Sequence, residues 1–307
     1  MASKEILIIS HKPPYPKIDG GSIAIAQVVE TLLEEGHYVT LLCIETDKHP
    51  AQTSITKKNL KFKAIFVNTE LKIASALSNI FNTQSYILSR FDNRLFRDEL
   101  KKILKKNTFD TILFESLFTS TYYDTVNRLS NAIKIYRSHN IEHHIWSEQS
   151  NQNKNILKKW YLKIQAKRLK NEEIKFWNTI DLILSISDND RSYIIKYCNT
   201  PTHTIGLHAE KRLLQNSDQS TKVDFFHLGT MNWLPNLDGI NWLLKNVFPK
   251  VKQTEKSAEI HIAGRAMSTK LKSHKQDGYY NHGEVKNAED FMSKHKVMLI
   301  PLFSGSG

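Results

Sequence analysis

A short apolar run that empties into a glycine turn recurs along this chain, and that recurrence restricts the fold more than any other feature. Residues 5–10 lead through a proline-rich loop to Asp19, Gly20, Gly21 and Ser22; residues 224–228 lead to Gly229; residues 259–263 to Gly264; residues 280–282 to Gly283; and residues 297–300 to Ser304, Gly305, Ser306 and Gly307. Continuous apolar runs of this length suit parallel strands covered on both faces. Helical spacing follows two of them, through Ile23, Ala26, Val29, Leu32 and Leu33 up to Gly36, and through Ile240, Leu243, Leu244, Val247 and Phe248. Strand, glycine turn, helix, strand is the start of a doubly wound α/β sheet. Further strands are predicted at 37–44, 60–67, 109–115, 133–137, 182–186 and 203–205. Between the third and fourth strands, 70–106 reads as helices, with Leu95, Leu100, Ile103 and Leu104 on one face. A long helical region is expected up to about Asn178, and Ser187, with Asp190 three residues on, reads as a helix cap.

The pattern restarts after the polar stretch 211–222, so two Rossmann-like domains are predicted: 1–210, a linker at 211–222, and 223–307. In open sheets of this kind ligands collect at the carboxyl ends of the strands, where glycine lets the backbone approach an anion. The glycine turns therefore mark the expected binding surface. Ser138 to His144 follow the fifth predicted strand and fall at the same end.

With 40% hydrophobic and 24% charged residues the composition is that of a soluble globular protein. No apolar run reaches membrane-spanning length, and Met1 leads straight into a strand without a secretory leader, so a cytoplasmic location is expected. Cys43 and Cys198 read as reduced thiols in or near the core, and no metal site is predicted. The nearest approach to a metal clamp, Asp188 and Asp190 around Asn189, is better explained by helix capping. The formal net charge of +12 is concentrated at 154–175, where eight lysines and arginines accompany Trp160, Tyr161, Phe176 and Trp177. Such a stretch is either the solvated face of an ordinary helix or a patch for an anionic membrane surface. No nucleic-acid signature accompanies it, and no nucleic acid is expected as a partner.

Taken in order, Pro14-Tyr15-Pro16 with Gly20-Gly21-Ser22, Ser138-His139-Asn140-Ile141-Glu142, His227-Leu228-Gly229-Thr230-Met231 with Pro235-Asn236, Ile262-Ala263-Gly264-Arg265, and Pro301 through Gly307 resemble family-4 retaining glycosyltransferases of the GT-B fold. The resemblance covers nearly the whole chain. It implies two Rossmann-like domains facing a cleft, a nucleotide-sugar donor held mainly by the second, and a glycan or lipid-linked acceptor held mainly by the first. It implies no cofactor and no required metal. Gly20, Gly21 and Ser22 would approach the diphosphate and acceptor, His139 would contact the donor sugar near the reaction centre, and Asp19 is a candidate acceptor contact. Gly229, Thr230, Asn236, Gly264, Arg265, Ser304, Gly305, Ser306 and Gly307 would line the donor side. Glu142 also falls in the matching stretch, though a glutamate favours any helix start.

The chain departs from the family pattern at Thr230 and Asn236, where an arginine and a lysine usually meet the phosphates, and at Ser306, where the first of two glutamates usually stands. The second glutamate would fall beyond Gly307, so the resemblance implies a chain cut within its donor site, with weak donor binding and little turnover. Bacterial cell-surface polysaccharide or glycolipid synthesis is the setting it implies, with the basic stretch holding the enzyme at the inner face of the membrane. The competing readings are a catalytically inactive nucleotide-sugar-binding fragment, a basic membrane- or nucleic-acid-binding protein on the same scaffold, and a nucleotide-sugar epimerase.

Overall fold

The computed structural model describes residues 2–52, 54–206, 224–231 and 233–303, which form two compact units, one within Met1–His208 and one within Ala209–Gly305. The predicted linker at 211–222 lies outside the described residues.

The first unit is a seven-stranded parallel sheet of β1 (Glu5–Ser10), β2 (Tyr38–Glu45), β3 (Leu60–Phe66), β4 (Thr111–Glu115), β5 (Ile133–Ser138), β6 (Leu182–Ser185) and β7 (Thr202–Thr204), in the order β3-β2-β1-β4-β5-β6-β7. Successive side chains of a strand point to opposite faces. Leu7 and Ile9 of β1 accordingly join one apolar cluster with Leu42, Phe96, Phe114 and Trp177, while Ile6 and Ile8 join another with Val29, Val39 and Leu41. Burial on both sides explains why the inner strands β1, β2 and β4 read as nearly unbroken apolar runs. The order reverses between β1 and β4, which makes their carboxyl ends the topological switch point of this sheet.

The second unit is a four-stranded parallel sheet of β8 (Asp224–Leu228), β9 (Glu259–Ala263), β10 (Tyr279–Gly283) and β11 (Val297–Met298), in the order β10-β9-β8-β11. Ile240, Leu244 and Phe248 pack on one of its faces with Ile260 and Ile262, and Phe226, Ala263 and Phe291 pack on the other. Cys43 and Cys198 are buried free thiols, as expected.

Three elements differ from their sequence-based expectation. The helix Arg94–Lys106 buries Phe96, Leu100 and Leu104, leaving Leu95 68% exposed, because the i, i+4 row through Phe96 is the one that meets the sheet. The long helical region is two helices, Glu142–Gln152 and Ile156–Trp177, the second opened by the Asn155 side chain accepting from the Lys158 N–H at 3.0 Å. Val297 to Ile300, expected as a buried strand, is a two-residue strand at the sheet edge with Val297 46% and Ile300 61% exposed. An edge strand has a neighbour on one side only, so its apolar residues are half covered.

Candidate functional site

The first helix, Gly20–Glu34, begins at the carboxyl end of β1 with a complete capping box: the Ser22 N–H donates to Asp19 Oδ1 at 2.7 Å and the Asp19 N–H to Ser22 Oγ at 2.9 Å. Lys12 Nζ lies 2.8 Å from Asp19 Oδ1, and His49 Nε2 lies 3.1 Å from Asp19 Oδ2. Burial would raise the Asp19 carboxyl, but the His49 hydrogen bond and the Lys12 ammonium outweigh it and hold it far below the usual carboxylate range. Asp19 is therefore a permanently ionised helix cap and is no proton acceptor near neutral pH. At Gly21 a Cβ would come within 2.3 Å of Lys12 Nζ, so the glycine is what lets this lysine fold back over the loop.

Across the switch point stands His139, one residue past β5, with its Nε2 2.5 Å from Glu115 Oε2. Glu115 ends β4 and is fully buried, and Arg137 Nη1 lies 3.3 Å from each of its carboxylate oxygens. Burial alone would push Glu115 up; the Arg137 guanidinium and the His139 bond more than offset this and keep it below its ordinary value. An ionised carboxylate can only accept, so Nε2 of His139 donates to Glu115, and the imidazole is oriented by a buried carboxylate that Arg137 also holds. Ser116, directly after Glu115, holds φ at 77°, a backbone uncommon for residues with a Cβ, and donates its N–H to the Arg137 carbonyl at 3.1 Å. His11 completes the group: its Nδ1 donates to the Glu115 carbonyl at 3.2 Å, and its ring centroid lies 5.9 Å from that of His139. Burial, then the charges of Lys12 and His139, hold His11 well below the ordinary histidine value, so it is neutral.

In the second unit the predicted glycines are explained by backbone contact. A Cβ on Gly264, whose φ is 144°, would sit 1.7 Å from the Gly229 carbonyl oxygen. The Gly229 N–H donates to Ala263 O at 3.1 Å, the Gly264 N–H to Gly283 O at 2.7 Å, and the Met231 N–H to Arg265 O at 2.9 Å. These three turns are thus tied together, and the two glycine N–H groups are committed within the fold. Asn236, in the first turn of the helix Leu234–Trp242, is buried and donates from Nδ2 to the Thr230 carbonyl at 3.0 Å, which braces the turn it was predicted to line. Arg265 pairs with Glu284, Nε to Oε1 at 3.4 Å, with both side chains largely exposed. Ser304, Gly305, Ser306 and Gly307 lie outside the described residues.

Glu142 is buried behind His139 at the start of the helix Glu142–Gln152. Glu173 of the following helix accepts the Glu142 N–H at 3.0 Å and the His143 N–H at 3.0 Å, capping that helix from outside. Burial, with Glu173 as neighbour, pushes Glu142 up to about 8, and burial pushes Glu173 up to about 8 as well.

The structure gathers Asp19, Gly20, Gly21, Ser22 and His139 at one end of the first sheet, and Gly229, Thr230, Asn236, Gly264 and Arg265 at the corresponding end of the second. Sequence reasoning missed Lys12, His49, His11, Glu115 and Arg137. Glu115 did carry a signal, being a charge at the end of a strand otherwise apolar and largely buried.

Residues 222–307 match the protein family described as Glycosyl transferases group 1. Over 262 residues the chain is 22% identical to an uncharacterized 44.6 kDa protein in the cps region of Klebsiella pneumoniae, an alignment that spans 85% of this chain and 65% of that protein. Sucrose-phosphate synthase from Thermosynechococcus elongatus superposes with a TM-score of 0.67 at 12% identity, over 99% of this chain and 77% of the synthase. WaaG, a glycosyltransferase involved in lipopolysaccharide biosynthesis, superposes with a TM-score of 0.59 at 10% identity, over 97% of this chain and 75% of WaaG. At these identities the structural likeness shows the fold, an α/β architecture of Rossmann-like parallel sheets matching GT-B glycosyltransferases. The family match, at 222–307, falls on the second unit.

Proposed function

We propose that this chain transfers a glycosyl unit from a nucleoside-diphosphate sugar to a hydroxyl of a glycan or lipid-linked acceptor, with retention of configuration and no metal in the transfer step, as expected of a family-4 enzyme. The observation that carries the reading is His139, held one residue past β5 by a buried Glu115–Arg137 pair, at the end of the sheet that carries the glycine loop. With the proton of His139 fixed on Nε2 toward Glu115, Nδ1 is left for a hydroxyl of the donor sugar. In the transfer the bond from the anomeric carbon to the diphosphate breaks, a bond to the acceptor oxygen forms on the same face, and the acceptor proton passes to the departing phosphate. No carboxylate base is required, which agrees with Asp19 being locked as an ion-paired cap. The leaving diphosphate gains charge and needs positive groups around it; within the second unit Arg265, directly after Gly264, is the candidate for that role.

The setting we propose is cell-surface polysaccharide or glycolipid synthesis at the inner face of a membrane. Ile156, Leu157 and Trp160 are 81%, 80% and 54% exposed at the start of the helix Ile156–Trp177, with Lys154, Lys158, Lys159 and Lys163 exposed among them. Apolar tips ringed by lysine suit an anionic bilayer. Among the described residues no helix is long and apolar enough to cross a membrane. The second reading, an inactive nucleotide-sugar binder, is favoured by one observation, the Asn236 carboxamide tied to a carbonyl where relatives are expected to carry a phosphate-binding cation.

The test is a panel of labelled uridine, guanosine and thymidine diphosphate sugars offered with membrane glycolipid extracts. Transfer of label from one donor, lost on the order of 10²-fold in His139→Ala with donor affinity retained, is the expected outcome. Donor binding without transfer would establish the second reading, and no binding by any donor would overturn both.

A further inference from the structure

The second unit carries a group of histidines that the glycosyl-transfer reading does not use. His261 on β9, His282 on β10 and His295 after the helix Ala288–Ser293 each present a ring nitrogen within 4.8 Å of the other two. Tyr280 pairs in register with His261 and stacks on it at 4.7 Å; His282, two residues on, falls at a register shift between Asn281 and Gly283, and its ring centroid lies 5.2 Å from that of His261. His261 Nδ1 and His282 Nε2 are only 2.9 Å apart. Two nitrogens bound to one tetrahedral zinc ion lie ~3.3 Å apart, since each bond is about 2.0–2.1 Å. The far nitrogens are held by carboxylates: His295 Nδ1 lies 2.9 Å from Asp224 Oδ2, and His261 Nε2 lies 3.4 Å from Glu259 Oε2 and 3.6 Å from Asp224 Oδ1. Carboxylates on the outer nitrogens fix the tautomer and the ring plane of metal-ligating histidines.

We propose that His261, His282 and His295 form a binding site for a divalent first-row transition ion, with zinc the best match to three imidazoles. His261 would ligate through Nδ1, His282 through Nε2 and His295 through Nε2, the nitrogen that its bond to Asp224 leaves open. Asp224 and Glu259 orient the rings, and a water completes the tetrahedron. Ligands from β9, from the edge strand β10 and from the segment entering β11 would be cross-linked by the ion, so its effect is to tie down the sheet that carries Gly229, Gly264 and Gly283. The site stands apart from the transfer chemistry and does not depend on it.

The experiment uses the whole chain without a polyhistidine tag, stripped with EDTA and titrated with Zn²⁺ and, for its visible tetrahedral spectrum, Co²⁺. One ion per chain is expected, with a raised melting temperature. His282→Ala, an exposed position, should weaken binding by on the order of 100-fold, and Asp224→Asn by about 10–100-fold. Zinc affinity unchanged in both His282→Ala and His295→Ala, or no binding by wild type, overturns the proposal. Equal folding of the variants is checked by circular dichroism in EDTA, and His274→Ala serves as a histidine control that should bind as wild type does.

Discussion

Glu142 is a residue whose environment reverses its ordinary protonation state near neutral pH. A glutamate in the unfolded chain titrates near about 4.3, whereas burial beside Glu173 pushes Glu142 up to about 8. Between these values the native state holds the extra proton, so stability is full below the lower one and falls as pH rises toward 8. His143 works in the opposite sense, because burial lowers it to about 4, but its contribution is complete above the ordinary histidine value of about 6.5. From pH 6.5 to 8 the carboxyls are left to dominate. Urea unfolding across that window should lose roughly 1–2 kcal/mol per raised carboxyl, and Glu142→Gln should flatten part of the fall. An unchanged slope in the variant would assign the dependence elsewhere. Glu115, equally buried, behaves differently because Arg137 sits on it. Two buried glutamates in one unit are thus set to opposite protonation states by their neighbours.

At the scale of elements, the helix Ile156–Trp177 buries Leu169, Glu173, Phe176 and Trp177 in its second half and exposes Ile156, Leu157 and Trp160 in its first. Charge reversal at Lys158, Lys159 and Lys163 should abolish co-sedimentation with anionic liposomes at low salt and leave the melting temperature within about a degree, since these side chains are exposed. Retained sedimentation would remove the membrane proposal. This division of one helix shows what its sequence could carry. The helix start at Asp188 was legible because its cap, Ser187 with Asp190, is local; the Asp19–Ser22 box that opens the first helix is just as local, but Asp19 was read as an acceptor contact. The inner strands β1, β2 and β4 were legible because burial on both faces leaves a nearly unbroken apolar run. The choice of Phe96 over Leu95 was not, since neighbouring residues on a helix are distinguished only by what packs against them. Nor were the Glu115–His139 bond and the three histidines, which meet only because separate strands lie side by side.

Over the whole molecule, the apolar clusters divide between the two units: Leu7, Phe96 and Trp177 belong to one set, Ile240, Ile260 and Phe248 to another. Calorimetry should resolve two unfolding transitions. A bound donor at about a hundred times its dissociation constant should stabilise the second unit by ~2.7 kcal/mol. Gly264→Ala identifies that transition by lowering it, because the added Cβ meets the Gly229 carbonyl. A single transition displaced as a whole by Gly264→Ala would show that the units unfold as one.

The capping of the helix Glu142–Gln152 by Glu173 has a bearing on the order in which the chain acquires its shape. The Glu142 and His143 N–H groups find their acceptors on a residue 31 and 30 positions later in the chain. During synthesis from the N-terminus, the segment that carries His139 therefore leaves the ribosome before the group that fixes its following helix exists. Those two N–H groups gain their buried acceptor only when Ile156–Trp177 has been made and has folded back, so the surroundings of His139 are completed late in the folding of the first unit.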